Sequence, residues 1–378
     1  MAETEPEDNR SATPGTLPEP QLKRGHKFPF LDGLRGYAAL WVMIGHSRAE
    51  CVGLGLKDVA VVRILNPIHE SWAVPVFIAL SGFLLTSQVC QPSKLADHNP
   101  LAFMMRRGRR IYPSYLAAIL FCLLISAGYS LLGVQPGVRW QDAVPVDAGA
   151  ILTHIALIHN WFPGYIHKID PPMWSLGVEW QIYVAFAFIT VPLVRRFGWV
   201  SSAILTTVLI AASAKLDSGF AVLFASFAMG GISAYFRSRK LAPDQSSPQP
   251  YGSILAAAIG IALAFVFQSR GLFAEIFISA ASAFGVYALS HPQTEQGLFH
   301  WIGSFMENRV SRFFGWCSYS LYLVHFPIIS AIGAAAIHLG LKGTTLSLSI
   351  LLLGWALSLA VAALFAKQIE YALVNKSK

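Results

Sequence analysis

FPFLDGLRGYAALWVMIGHS, residues 28–47, is an apolar run of membrane-helix length that carries an arginine and a histidine eleven residues apart. On a helix, eleven steps of about 100° end about 20° past three full turns and about 16 Å along the axis. Arg35 and His46 therefore share a face at two depths of one expected span. Ionisable groups inside a membrane are costly and are retained chiefly where they do chemistry or carry ions.

The rest of the chain fits that setting. It has 378 residues, 54% hydrophobic and only 13% Asp, Glu, Lys and Arg, against about 25% charged residues in an average soluble domain. Apolar segments of crossing length recur over 31–50, 69–90, 110–133, 174–194, 199–215, 218–236, 251–268, 271–290, 314–339 and 345–366. The expected fold is all-α, a polytopic membrane helix bundle of about ten transmembrane helices. Lys23, Arg24 and Lys27, the Arg106–Arg110 run, Arg195 and Arg196, Arg237 to Lys240, Arg309 and Arg312, and Lys367 all fall on one side when the N-terminus is inside. Both termini are then cytoplasmic, in a cell membrane. The net charge of +8 belongs to these segment ends, which suits lipid headgroups and points to no nucleic-acid partner.

Residues 1–27 read as a disordered cytoplasmic tail, 28–368 as the membrane domain and 369–378 as a second short tail. The stretch 148–162, AGAILTHIALIHNWF, is apolar but short and contains His154, His159 and Asn160. Counting it as a crossing would invert the basic pattern that follows, so a re-entrant or interfacial helix on the outer side is expected. Cys51, Cys90, Cys122 and Cys317 show no C-x-x-C spacing, and neither a disulfide framework nor a metal site is expected.

Five polar clusters interrupt the apolar segments. The first is LDGLRG leading to His46, where Asp32 can pair with Arg35. VPVFIALSGFLLT (74–86) places Ser81 and Gly82 mid-span, where small residues also permit close helix contact. RRGRRIYP (106–113) puts Arg107 and Arg110 three apart on one face. They read as a phosphate clamp or as simple inside anchors. Pro113 is expected within the first turns, where its missing N–H is tolerated. PPMWSLGVEWQIYV (171–184) carries Glu179 in the outer third, at the expected depth of His46, and CSYSLYLVHFP (317–327) carries Tyr322 and His325.

These five pieces, in this order, resemble the acyltransferase 3 family of integral membrane acyltransferases, which typically O-acetylate cell-surface glycans. The matching stretches are FLDGLRGYAALWVMIGH, VFIALSGFLLT, FMMRRGRRIYPSY, PMWSLGVEWQIY and SYSLYLVHFP, with Phe326 standing where many members have tryptophan. The resemblance implies a ten-helix core, an acyl-CoA (acetyl-CoA) co-substrate without a metal, and a glycan or lipid-linked sugar acceptor. It also implies functional roles for Arg35 and His46, for the Arg107–Arg110 pair, for Ser81 and for Glu179.

Sidedness then suggests a mechanism. Arg107, Arg110 and Arg35 would hold the phosphates of cytosolic acyl-CoA. His46 would act as general base on an acceptor hydroxyl, with Glu179 steadying its imidazolium, and Tyr322, His325 or Ser81 would supply an oxyanion donor. An acyl-histidine intermediate stays open. The outer loop 134–173, with Trp140, His154, His159, Trp161 and His167, is the expected acceptor-facing surface. The alternative reading is a proton-coupled polytopic transporter. Acceptor identity and oligomeric state are not legible in the sequence.

Overall fold

The computed structural model describes residues 28–216, 219–240, 251–290 and 298–372. Each of the ten expected segments falls on a helix, and no strand occurs among the described residues. In chain order these are α1 (Phe30–Gly53), α2 (Glu70–Val89), α3 (Pro100–Leu132), α4 (Pro171–Phe197), α5 (Trp199–Leu216), α6 (Gly219–Lys240), α7 (Tyr251–Val266), α8 (Gly271–Leu289), α9 (Arg309–His338) and α10 (Gly343–Glu370). Six of them (α2, α3, α4, α8, α9 and α10) are long and apolar enough to cross a membrane. The expected tail 1–27 and the polar stretches 241–250 and 291–297 lie outside the described residues.

Two boundaries differ from the sequence expectation. Helix α3 begins at Pro100, capped by the Asn99 side chain, which accepts from the Ala102 N–H at 3.0 Å. Pro113 is therefore interior and not in the first turns. The Leu-, Ala-, Met- and Arg-rich residues 101–110 are good helix formers that prolong the helix past its apolar part. At the other end, the turn Ala366–Glu370 is still helical, so the expected tail at 369 begins inside α10. Its Glu370 turns back onto α9, accepting from Ser320 Oγ at 2.7 Å.

The stretch 148–162 is not a crossing. It forms an eight-residue helix, Ala148–Ile155, followed by a turn at His159–Trp161. Eight residues rise about 12 Å, well short of a ~30 Å hydrocarbon layer. Gln181 of α4 pins the segment: its amide donates to Leu157 O at 3.1 Å and to Asn160 Oδ1 at 2.7 Å, and its oxygen accepts from Trp161 Nε1 at 3.0 Å.

Helix α9 is the axis of the bundle. Buried residues make up 78% of its apolar window, against 22% for α3. Lipid gives apolar side chains little reason to leave it, so helix association depends on close backbone approach. Gly36 of α1 supplies one such approach: a Cβ there would sit 2.6 Å from the backbone N of Gly315 on α9. Gly82 of α2 supplies another, facing the Phe227 carbonyl of α6 at a distance that leaves no room for a Cβ. The glycines of the first two polar clusters thus serve packing, while their charged and hydroxyl neighbours turn inward.

Gly82→Leu should therefore force α2 from α6 and lower stability by about 1–3 kcal/mol. Gly252→Leu, at a site with nothing within 4 Å, should not. Thermal melting of both variants in detergent, followed by size-exclusion, checks this; a Gly82→Leu protein as stable as the parent contradicts the packing role.

Candidate functional site

Five helices meet at one cavity of about 90 Å³, room for several waters. Its wall takes Arg35 from α1, Ser81 from α2, Arg107 and Arg110 from α3, Ser175, Glu179 and Tyr183 from α4, and Ser318, Tyr319 and Tyr322 from α9. Every polar cluster read from the sequence contributes. Residues separated by nearly three hundred positions converge because α1 and α2 lie against α9 and α6 at glycine contacts.

The charge in this cavity is unbalanced. Arg35 and Arg107 are half-buried, and Arg110 is exposed. Among the described residues, only one ion pair involves these arginines, Arg35 Nη1 to Asp32 Oδ1 at a long 4.0 Å. Arg107 Nε is buried with no partner. The carboxylate on the wall, Glu179, is otherwise engaged: its Oε1 accepts from Ser81 Oγ at 3.3 Å and, more closely, from the Tyr183 hydroxyl. Half-buried guanidiniums with one long ion pair between them keep donor capacity that an anion could take up, because desolvated charge is most stable when paired.

The structure corrects the expected position of Glu179. It lies at the depth of the arginines, not of His46, and makes no hydrogen bond or ion pair with that histidine among the described residues. Helix α4 begins with the turn Pro171–Met173, so Glu179 stands two turns along and faces the bundle centre. Tyr183, four residues on, was not singled out from sequence, although that spacing puts it on the same face as Glu179.

His46 belongs to a second polar level, with His325. Their ring centroids are 5.3 Å apart, and Phe326 meets His46 edge-on at 5.0 Å. Tyr322 connects the levels: it lines the arginine cavity, and its ring centroid is 6.0 Å from that of His325. His325 is wholly buried, and its Nδ1 faces the carbonyls of Leu321 and Tyr322 at 3.0 and 2.8 Å. Carbonyls only accept, so Nδ1 carries a proton, and Nε2, buried without a partner, is a bare acceptor when the ring is neutral.

This bears on the expected oxyanion donors. Neutral His325 has no free N–H. The Tyr322 hydroxyl donates to Pro172 O at 2.6 Å, and Ser81 donates to Glu179. Each would have to surrender a hydrogen bond to serve.

The expected acceptor surface is also corrected. Trp140 is fully buried and stacked on Phe326 with centroids 5.9 Å apart, and His154 and His159 are fully buried and stacked on each other at 3.8 Å. They hold the 134–173 loop to the bundle. Trp161 and His167 are exposed. The sequence carried no signal for which of these rings would face inward.

An all-helical membrane protein with a buried cationic cavity beneath a histidine pair is the class the fold and site define. Residues 28–367 match the acyltransferase 3 family, described as an acyltransferase domain, and the chain belongs to that family. It is 26% identical over 338 residues to a provisionally named O-acetyltransferase, SACOL0978, of Staphylococcus aureus strain COL, covering 82% of this chain and 52% of that relative. It is 27% identical over 181 residues to O-acetyltransferase OatA of S. aureus strain NCTC 8325 / PS 47, covering 45% of this chain and 26% of OatA. The chain thus spans about half the length of the first of these relatives. No solved structure matches it.

Histidine-selective ¹⁵N labelling should find His325 neutral with its proton on Nδ1. A proton on Nε2 alone would contradict the hydrogen bonding described.

Proposed function

We propose that this chain is a membrane-embedded O-acetyltransferase that takes an acetyl group from cytosolic acetyl-CoA and passes it to a hydroxyl of a cell-surface or lipid-linked glycan. In this reading the ten helices cross the membrane and both termini are cytoplasmic. One observation carries it: Arg35, Arg107 and Arg110 surround a small cavity without close counter-ions. Coenzyme A is a polyanion, and forked guanidinium donors suit its phosphates. Family membership supplies acyl transfer as the reaction class, and the names of the relatives supply acetyl as the group and oxygen as its destination.

The chemistry follows from the two levels. Arg107 and Arg110 hold phosphate at the arginine level, and the thioester extends past Tyr322 toward the histidines. Neutral His46 takes the proton of the acceptor hydroxyl as its oxygen attacks the thioester carbonyl. The C–S bond then breaks, and the departing thiolate takes the proton back from the imidazolium. His325, with bare Nε2 and its ring beside His46, is the neighbour able to accept from that imidazolium, the role first expected of Glu179. Glu179, bonded to Ser81 and Tyr183, sets the charge and shape of the donor cavity instead.

His46→Ala should abolish acetyl transfer, a loss of about a hundred- to ten-thousand-fold, with expression and insertion intact; turnover of labelled acetyl-CoA onto surface glycans reads it, and normal transfer contradicts it. Arg107→Gln and Arg110→Gln should each weaken acetyl-CoA binding about ten- to a hundredfold, the worth of a charged hydrogen bond of about 1.5–3 kcal/mol. Unchanged affinity in both would return these arginines to anchoring.

A further inference from the structure

At the end of α1 away from Arg35, a second charged group surrounds the approach to His46. Arg48 Nη2 lies 3.6 Å from Glu70 Oε2, and Arg139 Nη2 lies 3.9 Å from Glu70 Oε1. Both separations exceed hydrogen-bond length, so the two guanidiniums flank the carboxylate without spending their donors on it. Arg48 Nη1 reaches Asn66 Oδ1 at 3.4 Å, and Arg48 Nε is buried with no partner. Asn66 and Arg139 are exposed, and Arg48 and Glu70 are half-buried. The group is polar, accessible and net positive by one charge.

The backbone holds it next to His46. Gly45, the residue before His46, brings Glu70 against α1: a Cβ on Gly45 would sit 2.8 Å from Glu70 Cα. Glu50, buried one turn beyond His46, accepts from the backbone N–H groups of Val138 and Arg139 at 2.9 and 3.1 Å. That clamp fixes where Arg139 leaves the outer loop, beside the turn of α1 that follows His46. The loop 134–173 thus contributes a guanidinium to the surroundings of His46.

We propose that Arg48, Asn66, Glu70 and Arg139 form the acceptor subsite and that it takes an acidic sugar unit, one bearing a carboxylate or phosphate. The inference rests on the acetyltransferase reading and deepens it. Glu70 and Asn66 offer oxygens to sugar hydroxyls. The excess guanidinium donors fork onto the anionic group. A hydroxyl of the same sugar is then presented to His46 from the side opposite the coenzyme cavity.

The test uses the full chain in lipid nanodiscs, titrated with trigalacturonic acid, with its carboxyl-reduced counterpart and with glucose 1-phosphate. Either or both acidic probes should bind at least tenfold more tightly than the neutral one, and the stronger of the two assigns carboxylate or phosphate. Arg139→Gln, an exposed position safe for folding, should remove most of that advantage, and Arg48→Gln should do the same where it folds. Equal binding of acidic and neutral probes, no binding of either acidic probe, or an advantage untouched by Arg139→Gln overturns the proposal. Acetyl-CoA affinity, measured in the same samples, should be unchanged by Arg139→Gln. Its absence in the unsubstituted protein would instead count against the acetyltransferase reading.

Discussion

Arg35, Arg107 and Arg110 bring their guanidinium groups around one cavity inside a helix bundle, and the carboxylate on its wall is already occupied by two hydroxyls. Such charge adds little to the stability of a bundle in lipid, because a guanidinium drawn out of water is costly without a close partner, and Asp32 approaches Arg35 only to 4.0 Å. The arrangement makes sense when an anion completes it. Much else in the structure serves to keep those three side chains facing inward: the glycine contact of α1 with α9, the contact of α2 with α6, and the Glu370–Ser320 bond that draws the end of α10 onto α9.

A second constraint is the commitment of protons. Tyr322 gives its hydroxyl proton to Pro172 O, Ser81 to Glu179, and His325 its Nδ1 proton to the backbone. Buried polar atoms left without a partner include His46 Nδ1, His325 Nε2, Arg107 Nε and Arg48 Nε, and also Asp170, His154 and His159 in the 134–173 loop.

Much of this was legible in the sequence, for a physical reason. Polar residues in membrane helices are costly, so interruptions of the apolar pattern mark faces that turn away from lipid, and Arg35, Ser81, Arg107, Arg110, Glu179 and Tyr322 do meet at one cavity. Depth was less legible. The opening of α4 at a Pro-Pro turn before Trp174 agrees with the sequence, yet the depth of Glu179 relative to His46 depends on how α4 sits against α1 and α2, which no local spacing records. The partners of Glu50 and Arg139 were not legible at all. They depend on how a loop folds back over the bundle, and no local spacing records that.

The most direct test of the central claim is a cryo-electron microscopy structure of the protein with coenzyme A bound. The account predicts phosphate density within hydrogen-bonding distance of Arg107 and Arg110, with the pantetheine arm running past Tyr322 and its sulfur ending beside His46. Coenzyme density anchored elsewhere, with those arginines uncontacted and no passage to the histidine pair, would contradict it.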